Sequence, residues 1–189
     1  MAERLVILSD MWGSRRGLWI TSYLGYLQQY FDIVYYDSQE LAGLDMVVKT
    51  RENLCRALVE GGYDTAVTQL LAKEKTPSHY LAFCAGGTIA WKAALKGLPM
   101  QSLYAISPLW MEKEQEKPDC PVKFLFGQLH EERPGEGWAE KMGVDMQVEP
   151  QFGRELYSDE KIIRQVSLEL LDALLSKKHK SFKRPLSIF

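Results

Sequence analysis

Short apolar runs alternate with amphipathic segments along the whole chain, and this alternation narrows the possible folds more than any other feature. Arg4-Leu5-Val6-Ile7-Leu8-Ser9 is apolar without interruption and stops at Asp10-Met11-Trp12-Gly13. Runs of this kind suit strands buried on both faces of a parallel sheet. Similar runs occupy 32–36, 79–83, 102–106 and 122–126, with a weaker one at 145–148. Helical spacing is seen over 17–30, 50–60, 64–72, 88–95, 135–142 and 158–175, the last carrying Ile162, Ile163, Val166, Leu170, Leu171 and Leu174. Gly61-Gly62 reads as the stop of the second of these helices, and Asp37-Ser38 as the start of a polar loop. Strands alternating with helices predict a single doubly wound α/β domain of about six parallel strands, spanning 1–176. A basic tail follows over 177–189, from Lys177-Lys178-His179-Lys180 to Lys183-Arg184. It reads as a solvated helix end, with a polyanion-binding tail as the alternative.

Composition excludes several functions. A chain of 189 residues buries about 70% of its unfolded surface and needs no disulfide or metal staple. Its 23 basic and 25 acidic residues lack the basic excess of a general nucleic-acid binder. Three Cys and three His leave no Cys₄ zinc site, and no metal or cofactor is expected. An odd, scattered Cys count argues against a secreted disulfide framework. The first apolar run is too short for a signal peptide or a membrane span, so a cytoplasmic protein without a membrane partner is expected. Neither a Gly-x-Gly-x-x-Gly after the first strand nor a phosphate-binding Gly-x-x-x-x-Gly-Lys-Ser/Thr loop is present.

In a parallel sheet, chemistry collects at the carboxyl ends of the strands. The sharpest motif lies at one of them: Ala82-Phe83-Cys84-Ala85-Gly86-Gly87. A nucleophile elbow has the form small-x-nucleophile-x-Gly, because strand and helix approach closely at a strained turn. Such a turn would raise Cys84 to the top of the sheet and set the Ala85 N–H at a helix start, as an oxyanion donor. The alternative is a buried, inert Cys beside glycines that serve only helix packing.

The order of these parts resembles the α/β-hydrolase superfamily. The turn at 82–87 is similar to the Gly-x-Cys-x-Gly-Gly form found in dienelactone hydrolases. Val6 to Gly13 is similar to the oxyanion segment, with Asp10-Met11 in place of His-Gly and Trp12 at the donor position. Val122 to Pro134 is similar to the strand that carries the acid of the triad, and Gln151 to Tyr157 to the segment that carries its His. Two triad positions depart from the pattern. His130 stands where an acid is expected, and Arg154 where the His is expected; an Arg cannot serve as a base near neutral pH.

The resemblance therefore implies a hydrolase acting on a small or carrier-bound ester or thioester, with Cys84 as nucleophile and His130 as base, oriented by Glu131 or Glu132. Trp12 and Ala85 would form the oxyanion hole, and Arg154 would favour the thiolate or clamp a substrate carboxylate. Two alternatives stand beside it: an inactive ligand- or protein-binding module, and a redox-sensitive Cys protein. The link from Ser107 to Cys120 is too short for a cap domain. It predicts an open site rimmed by Trp12, Trp110 and Trp138. His79, Cys55, Cys120 and His179 read as structural or solvated residues. The charge of Asp10 would oppose an oxyanion.

Overall fold

The computed structural model describes residues 2–182, with side chains through Ser176. Six strands, β1 (Glu3–Leu8), β2 (Phe31–Tyr36), β3 (Ser78–Phe83), β4 (Met100–Ile106), β5 (Val122–Gly127) and β6 (Asp145–Glu149), form one sheet in the order β2-β1-β3-β4-β5-β6. Every pairing is parallel. The six runs read from sequence coincide with these strands to within two residues. The reason is burial: all six residues of β3 are buried, as are the last four of β1, whereas the edge strands β2 and β6 are mostly half-buried.

Helices cover both faces. On one, α1 (Ile20–Leu27) packs against α7 (Glu160–Phe182), with Trp19, Tyr23 and Tyr157 around Phe83. On the other, α4 (Tyr63–Lys73) lies against α5 (Ala85–Leu95), and Trp91 and Trp138 enclose Phe124. Phe83 and Phe124 point to opposite faces because side chains alternate along a strand.

Three expectations change. The loop expected after Asp37 contains α2 (Ser38–Leu41), capped by the Asp37 carboxylate, which accepts from Gln39 N at 2.7 Å and Glu40 N at 3.3 Å. The stop expected at Gly61-Gly62 is a kink instead. There α3 (Arg51–Ala57) passes through a wide turn over 58–62, with Gly61 at φ 137°, and continues as α4. Only Gly takes that backbone conformation without strain. The final helix is also longer than its apolar stripe, its backbone running through Phe182 across the expected boundary at 176. The side chains of 177–182 and all of 183–189, which complete the expected basic tail, lie outside the described residues. Among the described residues no helix is long and apolar enough to cross a membrane. Between β4 and β5 the chain makes only one short helical turn, Met111–Lys113, and carries no cap.

The chain leaves β1 toward β2 on one side, then crosses back to lay β3 on the other. Strand order thus reverses beside β1, and the crevice at the carboxyl ends of β1 and β3 is where α/β sheets bind ligands. It is bounded by Ser9–Gly13 and by Cys84.

Candidate active site

Cys84 joins β3 to α5 at φ 49° and ψ −118°, a strained conformation for any residue but Gly. Such a residue costs of order 1–3 kcal/mol and persists only where its surroundings enforce it. Here they do. The Cys84 N–H donates to Ile106 O at 2.8 Å, and the Gly87 N–H donates to Cys84 O at 3.0 Å. A Cβ on Gly86 would overlap the Ser9 carbonyl oxygen and come within 2.8 Å of Leu8 Cβ, while one on Gly87 would come within 2.9 Å of Pro108 Cβ. Ala82, buried between Leu8 and Ala105 on the neighbouring strands, completes the close approach. The small residues of the motif are therefore required by contact.

The residue is only 1% exposed. Burial, and next the charge of Asp10, push the thiol up to about 12; the backbone amides of Met11 and Ala85 and the charge of Arg154 act the other way. The Ala85 amide opens α5. The second amide acting on the thiol belongs to Met11, whereas the Trp12 N–H, expected in that role, donates to Asp10 Oδ1 at 3.0 Å. An Asp two residues before an amide folds back on it in a local turn, which withdraws Trp12 from the thiol. The Trp12 indole lies under the Arg16 guanidinium at 4.4 Å and donates from Nε1 to Glu155 Oε1 at 3.3 Å.

Asp10 is 2% exposed, and its second oxygen accepts from the Tyr157 hydroxyl at 3.1 Å. Burial raises its carboxyl to about 6 despite these hydrogen bonds. Tyr157 is held by Trp19 and Phe83, with ring centroids 4.8 and 5.6 Å away. Sequence reading missed Tyr157 and Met11 as site residues. Tyr157 does lie in the segment likened to the one that carries a hydrolase His, four residues after Gly153.

His130 follows β5 in a tight turn and is 4% exposed. Its Nδ1 accepts from the Glu132 backbone N–H at 3.1 Å, so the neutral ring carries its hydrogen on Nε2, which has no partner among the described residues. Burial first, and then the charge of Arg154, lower this imidazole to about 4. No hydrogen bond joins it to Cys84 among the described residues. The dyad expected from sequence is not assembled, because the lone pair that would take a proton is already engaged. Glu132 orients the ring through its backbone, while its carboxylate contacts Arg51 Nη2 at 3.0 Å and Arg154 Nη2 at 3.7 Å.

The expected rim differs as well. Trp110 sits at φ 53° with its ring edge-on to Tyr63, 6.1 Å between centroids. Trp138 is half-buried against the core instead: it stacks on Phe124 at 6.2 Å and donates from Nε1 to Glu114 O at 3.1 Å. The thiol is enclosed where an open site was expected. His79 lies at the opposite end of β3, within 2.6 Å of Ser102 Oγ and 3.1 Å of Glu3 Oε2. Cys55 is half-buried in α3, and Cys120 is buried.

No family model matches the chain, and no curated protein matches it in sequence. Solved structures do match in fold. An alpha/beta superfamily protein from Xanthomonas campestris pv. campestris is similar with a TM-score of 0.67 at 17% identity, over 92% of this chain and 99% of that one. Est1E from Butyrivibrio proteoclasticus is similar with a TM-score of 0.59 at 13% identity, over 94% and 89%. Naproxen esterase (carboxylesterase NP) from Bacillus subtilis is similar with a TM-score of 0.57 at 11% identity, over 92% and 84%. The chain thus has the α/β-hydrolase fold, as a single domain of six parallel strands flanked by helices, with Cys84 at the strained turn after β3.

Proposed function

We propose that the protein is an acyl hydrolase acting on a small or carrier-bound ester or thioester, with Cys84 as the acyl acceptor. The observation that carries this reading is the strained elbow at Cys84, with the amides of Met11 and Ala85 acting on its thiol. Two amide donors at a nucleophile provide what an acyl-transfer transition state needs for its developing oxyanion. The carboxylesterase among the fold neighbours supports the same reaction class.

The role expected of His130 passes to Asp10. A carboxyl near 6 is mostly ionised at neutral pH, and its charge acts on the thiol. In the proposed step the Cys84 proton moves to Asp10 as sulfur attacks the substrate carbonyl carbon. The oxyanion is held by the Met11 and Ala85 N–H groups. Collapse expels the alcohol or thiol, which takes the proton from Asp10. Water then cleaves the acyl-cysteine, releasing the acid and restoring the thiol. A thiol near 12 makes the first step slow at rest, and substrate entry requires the enclosing side chains to move. The same high pKa disfavours the redox-sensor alternative, which needs an exposed thiolate. The enclosure of the thiol and the engaged lone pair of His130 favour the second reading, a binding module on the hydrolase fold.

Incubation with 4-nitrophenyl acetate and with S-phenyl thioacetate, followed by mass spectrometry, separates the two. The proposed enzyme acquires an acetyl group on Cys84 at a rate that rises as pH passes through about 6. Cys84→Ala acquires none, and Asp10→Asn acylates at least tenfold more slowly. A parent protein that shows neither adduct nor turnover overturns the hydrolase reading and leaves the binding module.

A further inference from the structure

Two guanidinium groups share one carboxylate. Arg51, the first residue of α3, contacts Glu132 Oε2 at 3.0 Å, and Arg154, after β6, contacts the same oxygen at 3.7 Å. This leaves a net positive charge whose field reaches the elbow: the charge of Arg154 acts on Cys84 and on His130, and that of Arg51 on His130 and Cys55. The donors here outnumber the acceptors. The Nε atoms of Arg51 and Arg154 are buried without a partner among the described residues, as is that of Arg133, next to Glu132 in the chain. His130, 96% removed from solvent, likewise presents an Nε2–H with no acceptor. Unsatisfied buried donors are uncommon and call for an explanation. One cause accounts for those of Arg51, Arg154 and His130: a site built for an anion that is held only in part by Glu132.

We infer that Arg51 and Arg154, with the His130 Nε2–H, recognise a carboxylate carried on the acyl part of the substrate, and that Glu132 occupies this place until the substrate arrives. Planar guanidinium groups match a carboxylate, the group they already hold. Glu132 is exchangeable, since its side chain is 32% exposed and that of Arg51 40%; pairs so close to solvent contribute only about 0–1 kcal/mol. The incoming carboxylate takes over the two guanidinium groups and supplies acceptors for the orphaned N–H groups. This deepens the acyl-hydrolase reading and rests on it for the word substrate, but the anion site itself does not depend on acylation.

Calorimetric titration of the intact chain with monomethyl succinate and with methyl butyrate, which lacks the free carboxylate, tests it without requiring turnover. The charged probe should bind at least tenfold more tightly than the neutral one. Arg154→Gln and Arg51→Gln should each weaken it roughly tenfold, the loss of one charge-assisted contact. Glu132→Gln should tighten it several-fold by removing the internal competitor, an effect a merely structural role would not produce. Equal binding of the two probes, or Arg variants that bind monomethyl succinate like the parent, would overturn the inference even if Cys84 is acylated by neutral esters. Inorganic phosphate that binds more tightly than monomethyl succinate would overturn the assignment to a carboxylate. Arg-dependent binding in a protein that never acylates would remove the hydrolase reading and leave this site standing.

Discussion

Replacing Asp10 with Asn should stabilise the protein at neutral pH, and the size of the effect follows from the burial of one carboxyl. Asp10 is 2% exposed, and burial raises it from an ordinary value near 3.8 to about 6. Between these values the folded chain holds a proton that the unfolded chain has released. Stability therefore falls as pH rises from about 4 to about 6, and the full penalty is present at pH 7. The displacement corresponds to about 3 kcal/mol. Asn keeps an acceptor for the Trp12 N–H and a partner for the Tyr157 hydroxyl but carries no charge. Urea unfolding of parent and variant at pH 4, 5, 6 and 7 isolates the effect, because the other titrating groups cancel in the difference. The variant should gain about 3 kcal/mol relative to the parent between pH 4 and pH 7. A difference that stays flat, or that turns against the variant at high pH, would mean that Asp10 is not held as a strained buried acid, and its role as proton acceptor would go with it. A residue that weakens the fold while improving the reaction is common at active sites.

Other substitutions probe neighbouring features. His130, lowered to about 4, contributes stability that is fully present above about 6.5 and lost as pH falls toward 4. Against His130→Gln in the same unfolding series, the parent should lose up to about 3 kcal/mol over that range, and a constant difference would contradict the buried neutral ring. Arg4→Met should cost about 3 kcal/mol by stranding Glu74, which is 1% exposed and, among the described residues, otherwise accepts only from the Tyr36 hydroxyl at 2.7 Å. A loss below about 1 kcal/mol in chemical denaturation would show that this carboxylate is not held by its partner. Gly86→Ala should destabilise by at least about 1–3 kcal/mol, because its Cβ meets the Ser9 carbonyl. Gly137→Ala, in the first turn of the short helix Glu136–Met142 with open space around it, should gain about 0.4–1 kcal/mol; equal effects at the two sites in thermal unfolding would remove the steric argument for the elbow.

The two kinds of position differ in how far their partners lie along the chain. Runs such as Leu5–Leu8 and Leu81–Phe83 announce strands because burial on both faces leaves no polar residue in them. Ala82, Cys84 and Gly86 announce the elbow because one tight turn imposes its demands within five residues. Tyr157 could not be read in the same way: it meets Asp10 across 147 residues, and nothing local marks the pair. Nor does the sequence show that Trp138 leaves the rim, since its stacking partner Phe124 meets it only once β5 is packed against Glu136–Met142.

Sequence alone thus determined the alternation of strands and helices, the absence of room for a cap, and the turn that presents Cys84, all of them consequences of short-range periodicity and steric demand. Tertiary structure decided the electrostatics. It engaged the lone pair of His130 with a backbone amide, gave the second thiol-facing amide to Met11, buried Asp10 beside the thiol, and gathered Arg51 and Arg154 on Glu132. Protonation and hydrogen-bond roles depend on burial and on partners brought from distant strands, and only the closed sheet brings those partners together.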